Sequence, residues 1–133
     1  MGQRGVGVTI IFDLRPAERI VIDTAQLDEL FRRLGDRGAE TFVMEAVEAI
    51  SDLLAEVDGF VRTGNLAAIA PRAQQVSRIS AEVGLTSLAR VARDMGITAT
   101  RGDMVAYRAV WERLVRIGDR SLAQVWELPG LSI

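Results

Sequence analysis

Residues 64–84 read GNLAAIAPRAQQVSRISAEVG, and this stretch sets the pattern for the rest of the 133-residue chain. Small and apolar side chains recur in it every three or four residues, at Leu66, Ile69, Ala73, Val76, Ser80 and Val83. This is the spacing of one buried face of an α-helix. The opposite face carries polar side chains, at Arg72, Gln74, Ser77, Arg78 and Glu82. The pattern predicts a helix with its back in a core and a small polar surface in front.

The same stretch resembles the histidine phosphotransfer (HPt) domains of bacterial two-component phosphorelays. Members of that family read Gly-Asp, an apolar helical run, Ala-His-x-Leu-Lys-Gly and then a further Gly. Here Gly64 and Asn65 stand for the Gly-Asp, and residues 73–78 stand for the central motif. Gly84 falls ten residues after Gln74, as the family's later Gly follows its His. The resemblance covers roughly residues 22–127 and implies the HPt fold, with Gln74 at the phosphoacceptor position.

Three departures from the family pattern argue against phosphoryl transfer. The chain contains no His at all, and Gln74 stands at the acceptor position. A Gln amide both donates and accepts hydrogen bonds, but it is not a nucleophile at neutral pH. Ser77 replaces the family's Lys, and Arg78 replaces the small Gly that lets a partner approach. The resemblance therefore implies a fold and a partner class, and we expect no enzymatic activity.

Composition excludes several other classes of function. Cys and His are both absent, so thiolate or imidazole metal sites are ruled out, and we expect neither a metal nor a cofactor. The net charge is −2 and no basic run occurs, so the sequence predicts no positively charged surface of the kind that binds nucleic acid. No stretch approaches the roughly 20 apolar residues of a membrane span, and no signal peptide is evident. We therefore expect a cytoplasmic protein that does not bind membranes.

The first 22 residues are predicted to form an N-terminal arm. Two β-branched runs, residues 7–14 and 19–22, flank a turn at residues 15–18, which indicates a short hairpin or an extended arm. Two interpretations of this arm remain open. It either packs along a helical bundle or presents an exposed edge for strand addition or dimerisation.

Five helices are predicted from residue 23 to residue 127, followed by a tail at 128–133. A first helix capped by Asp23 or Thr24 ends at Gly35–Gly38, and a second runs over residues 39–62. Asn65 caps the third, in which Pro71 predicts a kink or a fresh start. The fourth follows Gly84 and is predicted to break at residues 96–102, and Asp103 caps the fifth. The predicted fold is all-α, an antiparallel four-helix bundle with an additional N-terminal helix.

The predicted docking surface surrounds the position of the missing His. It comprises Arg72, Gln74, Gln75, Ser77 and Arg78 on the third helix and Arg90 and Arg93 on the fourth. The arginines are either an ordinary solvated face or a surface for an acidic partner. Arg78 would block a partner's approach unless it reaches into the partner's acidic pocket as a substitute cation.

Two functional hypotheses follow from these observations. In the first, the chain is a non-catalytic adaptor or inhibitor that docks the receiver domain of a response regulator or a histidine kinase. In the second, it is a structural or self-associating helical bundle, such as a homodimer, with no role in a phosphorelay.

Overall fold

A computed structural model describes residues 9–15 and 18–128 of the chain. Two strands and four helices follow one another along it: β1 (Thr9–Arg15), β2 (Glu18–Asp23), α1 (Thr24–Thr63), α2 (Leu66–Glu82), α3 (Thr86–Arg101) and α4 (Ala106–Val125). The first eight residues, the centre of the predicted 15–18 turn and residues 129–133 of the predicted tail lie outside the described residues. The architecture is an all-α helical bundle with a short hairpin in front of it.

Helix α1 contains both of the helices predicted before Asn65. Gly35 interrupts it with φ 78° and ψ 166°, a conformation that is essentially restricted to glycine. The helical stretches before and after Gly35 are therefore separate segments joined at a single residue. The predicted break over Gly35–Gly38 is thus confirmed but shorter, because Gly38 is already helical. Asp23 caps the first segment, since its side chain accepts a hydrogen bond from the Gln26 amide.

Helix α2 begins where the sequence predicts. The Asn65 side chain accepts a hydrogen bond from the Ala68 amide, as an N-cap does. The helix continues through Pro71 without a new start, although the proline has no amide to donate to the Ala67 carbonyl oxygen one turn earlier. Four residues of α2 are fully buried, namely Ile69, Ala73, Val76 and Ser80.

Gly84 forms the turn between α2 and α3 and also holds the hairpin. It has φ 78°, and its carbonyl oxygen accepts a hydrogen bond of 2.8 Å from the Asp23 amide at the end of β2. Two residues earlier on β2, the Val21 amide donates to the Ser87 hydroxyl oxygen over 2.7 Å. Strand β2 also pairs with β1 in an antiparallel ladder. The second strand of the arm therefore packs on the bundle.

Helix α3 corrects one prediction. We expected a break at residues 96–102, but the helix runs unbroken through Gly96 and ends at Arg101. Gly96 is buried against α2, where a glycine permits close approach of the two helices, so its role is in packing rather than in ending the helix. Gly102 alone ends the helix, with φ 68°. Asp103 then caps α4 as predicted, because its carboxylate accepts hydrogen bonds from the Val105 and Ala106 amides.

The four helices form a ring in which each is antiparallel to its neighbours. Helix α1 packs on α2, α2 on α3, α3 on α4, and α4 returns to α1, so α1 and α3 lie on a diagonal. The core between them includes fully buried Ile50, Ile69, Leu88, Met95 and Leu114. Strand β2 adds Ile20 and Ile22 to the same core, where neither side chain has any exposed surface.

Candidate functional site

Gln74 lies in the middle of α2, exposed to solvent and next to α3. Its Cγ atom would lie 3.4 Å from a Cβ placed on Gly96, so the side chain rests against the glycine backbone of α3. The Ala70 carbonyl and the Ala73 side chain border the same position. Because Gly96 has no side chain, the aliphatic part of Gln74 fits against α3, while its amide remains available to a partner.

Ser77 lies one turn after Gln74 and faces α3 rather than solvent. Its hydroxyl donates a hydrogen bond of 2.8 Å to the carbonyl oxygen of Ala89. This bond ties the middle of α2 to the first half of α3.

Three further arginines of the predicted docking surface are exposed, one on α2 and two on α3. Arg78 follows Gln74 by one turn of α2, and Arg93 precedes Gly96 by about one turn of α3, with Arg90 one turn further along. All three side chains are exposed, and none makes an ion pair or hydrogen bond with a described residue. We call Gln74, Arg78, Arg90 and Arg93 the Gln74 face.

Arg72 lies elsewhere, contrary to our expectation that it would flank Gln74. Its Nε donates to a carboxylate oxygen of Glu56 on α1 over 2.6 Å, and its guanidinium lies 4.7 Å from the centroid of the Phe60 ring. The physical reason is helical geometry, since two residues along a helix correspond to about 200° around its axis. Arg72 therefore binds α2 to α1, whereas Gln74 borders α3. Gln75 is exposed but lies on the α1 side of Gln74, about 100° around the helix.

Sequence reasoning missed two residues beside the Gln74 face. Gly96 was interpreted as a helix break, although it lies within the apolar spacing of Leu88, Ala92, Met95 and Ala99, a signal that the helix continues. Ile97 follows it with 43% of its surface exposed, and its place beside Gly96 puts an apolar side chain next to the arginines. Single exposed apolar side chains are common on protein surfaces, so no sequence signal marks Ile97.

Comparison with known proteins supports the architecture. No protein-family model and no curated protein sequence matches the chain. The crystal structure of histidine-containing phosphotransfer protein B (HptB) from Pseudomonas aeruginosa PAO1 does match, with a TM-score of 0.74 over 80% of this chain and 91% of that chain. The fold is HPt-like. The sequence identity of 18% means that this likeness shows the fold alone.

Two further properties concern the described residues as a whole. Within residues 9–15 and 18–128, no helix combines the length and apolar character needed to cross a membrane. The same part of the chain contains no group of three or more carboxylates placed to hold a metal ion.

Proposed function

We propose that this chain is an HPt-like protein of cytoplasmic phosphorelay signalling that docks a partner without passing phosphate. The partner is the receiver domain of a response regulator or a histidine kinase, and it contacts the Gln74 face. One observation supports the proposal: the HPt-like bundle exposes Gln74, which the sequence resemblance aligns with the phosphoacceptor, and also exposes three arginines of α2 and α3 that have no partner among the described residues. The protein would act as an adaptor or an inhibitor.

The absence of His supports docking without transfer. A phosphoryl carrier needs a nucleophile that accepts the group, and the Gln74 amide is not one. The amide nevertheless has both a donor and an acceptor, as a neutral imidazole does. A partner that recognises the shape of the HPt surface would therefore still find a hydrogen-bonding group at its centre.

The charge of the face favours an acidic partner. Arg78, Arg90 and Arg93 are exposed and have no partner among the described residues, and a guanidinium forms bidentate hydrogen bonds with a carboxylate. Charges arranged in this way speed the encounter with a partner of opposite sign and select against partners of the same sign. Ile97, with 43% of its surface exposed, supplies an apolar contact next to them.

Binding measurements with purified domains test the proposal. The receiver and kinase domains encoded in the same genome are titrated with the wild-type chain, Arg78→Gln and Arg72→Gln. We expect Arg78→Gln to raise the Kd for the partner about tenfold or more, equivalent to at least ~1.4 kcal/mol, because it removes a charge-assisted contact. Arg72→Gln is the matched control. It removes the same charge from the same helix, but at the contact with Glu56, so we expect an unchanged Kd.

Two outcomes would contradict the proposal. The first is a failure of every receiver and kinase domain to bind the wild-type chain. The second is an equal loss of affinity in the two variants, which would point to general charge and not to the Gln74 face. Capture of its own copies alone would instead support the self-associating bundle.

A further inference from the structure

We infer that β1 pairs with the β1 strand of a second copy of the chain, so that the two hairpins form one antiparallel sheet of four strands. This pairing is independent of the proposed function, because it involves the hairpin and not the Gln74 face. The described sheet of one chain has two strands and therefore two outer edges. The bundle covers one of these edges, and the second copy covers the other.

The edge formed by β2 is the one that the bundle covers. The Val21 amide donates to the Ser87 hydroxyl oxygen over 2.7 Å, and the Asp23 amide donates to the Gly84 carbonyl oxygen over 2.8 Å. The Ser87 hydroxyl in turn donates to the Arg19 carbonyl oxygen over 3.3 Å. Alternate residues of a strand direct their amide and carbonyl groups to the same edge. Residues 19, 21 and 23 therefore all direct their backbone groups away from β1.

The register of the hairpin extends this alternation to β1. Ile20 and Ile22 alternate with the residues that bond to the bundle, so they carry the hydrogen bonds to β1. Their partners in the ladder are Phe12 and Ile10, respectively. The remaining residues of the paired part of β1 therefore direct their amides and carbonyls to its outer edge. These residues are Thr9, Ile11 and Asp13.

The outer edge of β1 has no backbone partner in the part of the chain that the structure describes. Strand β2 is the one strand that pairs with β1 there, and no backbone hydrogen bond joins the other edge of β1 to a described helix or turn. The strand is seven residues long. An unpaired edge of this length presents a row of amides and carbonyls that serves as a template for another strand.

The backbone of β1 matches that of a second β1 in one particular register. A two-fold axis at Ile11 places this residue opposite the copy's Ile11, and places Thr9 opposite the copy's Asp13. All three residues of the outer edge then lie opposite one another, and each pair exchanges two backbone hydrogen bonds. A displacement by two residues in either direction leaves only two of the three paired in this way. The register shift between Asp13 and Arg15 ends the ladder at the same point in both copies.

The residue types favour the same register. Ile11 lies opposite Val21 within one hairpin, so the axis at Ile11 creates a row of four β-branched apolar residues across the four strands. Thr9 opposite Asp13 combines a hydroxyl donor with a carboxylate acceptor. An axis at Asp13 would instead place two carboxylates directly opposite each other, which is unfavourable. A second copy therefore supplies both the hydrogen bonds and the matching residues that the edge requires.

The first test compares the mass of the wild-type chain in solution with that of Ile11→Pro. Size-exclusion chromatography with light scattering should give twice the 14.5 kDa of one chain for the wild type. The Ile11 amide lies on the outer edge, so proline there removes a bond to the copy and none to β2. We expect Ile11→Pro to have the mass of one chain and to retain the helical circular dichroism of the wild type.

The second test determines the register with single cysteines, since the natural chain has none. The proposed axis brings the two Ile11 Cα atoms to about 5.5 Å, within the range of a disulfide. Ile11→Cys should therefore form a disulfide-linked dimer on mild oxidation. Asp13→Cys is the matched control, because the two copies of residue 13 are offset by about 13 Å along the strands and should not be linked.

Three results would overturn this inference. The first is a wild-type chain that keeps the mass of one chain up to about 1 mM, where even a binding free energy of ~4 kcal/mol would produce dimers. The second is a dimer that persists in Ile11→Pro, since the copies would then meet through another surface. The third is cross-linking of Asp13→Cys as complete as that of Ile11→Cys. None of these results bears on binding at the Gln74 face.

Discussion

At the scale of single residues, two serines of α2 have opposite surroundings. Ser77 donates a hydrogen bond to the Ala89 carbonyl oxygen, whereas the Ser80 hydroxyl is fully buried and has no partner among the described residues. A buried polar group without a partner has lost its hydrogen bonds to water and has formed no hydrogen bond within the protein to replace them. Ser80 is three residues after Ser77 on the same helix, so the same substitution at the two positions compares a bonded hydroxyl with an unbonded one.

We expect the two substitutions to alanine to differ in sign. Ser80→Ala removes an unsatisfied hydroxyl and should leave the free energy of unfolding unchanged or raise it by up to about 1 kcal/mol. Ser77→Ala breaks a hydrogen bond between helices and should lower it by about 1 kcal/mol. Urea unfolding followed by circular dichroism measures both. A loss of more than about 1 kcal/mol in Ser80→Ala would show that the hydroxyl has a hydrogen-bonding partner after all.

At the scale of elements, two turns of the bundle use glycine for different reasons. Gly64 and Gly84 have nearly the same φ, 73° and 78°, in the left-handed region. A Cβ on Gly64 would have no atom within 4 Å, whereas one on Gly84 would lie 2.6 Å from the Asp23 carbonyl oxygen. The first turn therefore needs glycine for its backbone alone, and the second needs it also to admit the hairpin.

Substitution of Gly64 and of Gly84 by alanine distinguishes the backbone requirement from the requirement for space. Gly64→Ala should cost only the strain of a left-handed residue, about 1–2 kcal/mol. Gly84→Ala has the same strain and must also displace the backbone of Asp23, so we expect a further loss of roughly 2 kcal/mol. Thermal or urea unfolding gives the comparison. Equal losses would mean that the hairpin moves away from the turn at little cost.

At the scale of the whole molecule, the hairpin and the bundle share one core. Ile20 and Ile22 of β2 have no exposed surface, and the Asp23 amide bonds to Gly84 between α2 and α3. Val21 lies between them and is only partly buried. The residue at which the arm was predicted to end therefore lies inside the packed structure.

We expect β2 and the four helices to unfold together. Ile20→Ala should lower the free energy of unfolding by roughly 2–5 kcal/mol, as for other fully buried aliphatic side chains, and Val21→Ala by clearly less. Tryptophan fluorescence and far-ultraviolet circular dichroism should report one coincident transition for each variant. An Ile20→Ala protein as stable as the wild type would show that the hairpin folds independently of the bundle.

The sequence by itself determined the features that depend on neighbours along the chain. The spacing of apolar residues predicted the helices, and Asn65 and Asp103 predicted two of the caps, since a cap bonds to amides two or three residues away. The breaks at Gly35, Gly64 and Gly84 are equally local, because each needs a positive φ. The absence of histidine is likewise a property of the composition alone.

Only the tertiary structure decided which helix each side chain of α2 faces. The apolar spacing around Gly96 indicates that the helix continues, but only its contact with Gln74 shows that this glycine lies where α2 and α3 pack closely. The sequence pattern predicts that Arg72 lies with the other arginines. In the structure it pairs instead with Glu56, which is 16 residues away in sequence. The Ser77 hydroxyl likewise donates to an acceptor on α3, the Ala89 carbonyl oxygen. Contacts of this kind depend on how the helices pack against one another, and the periodicity of a single helix carries no information about its neighbours.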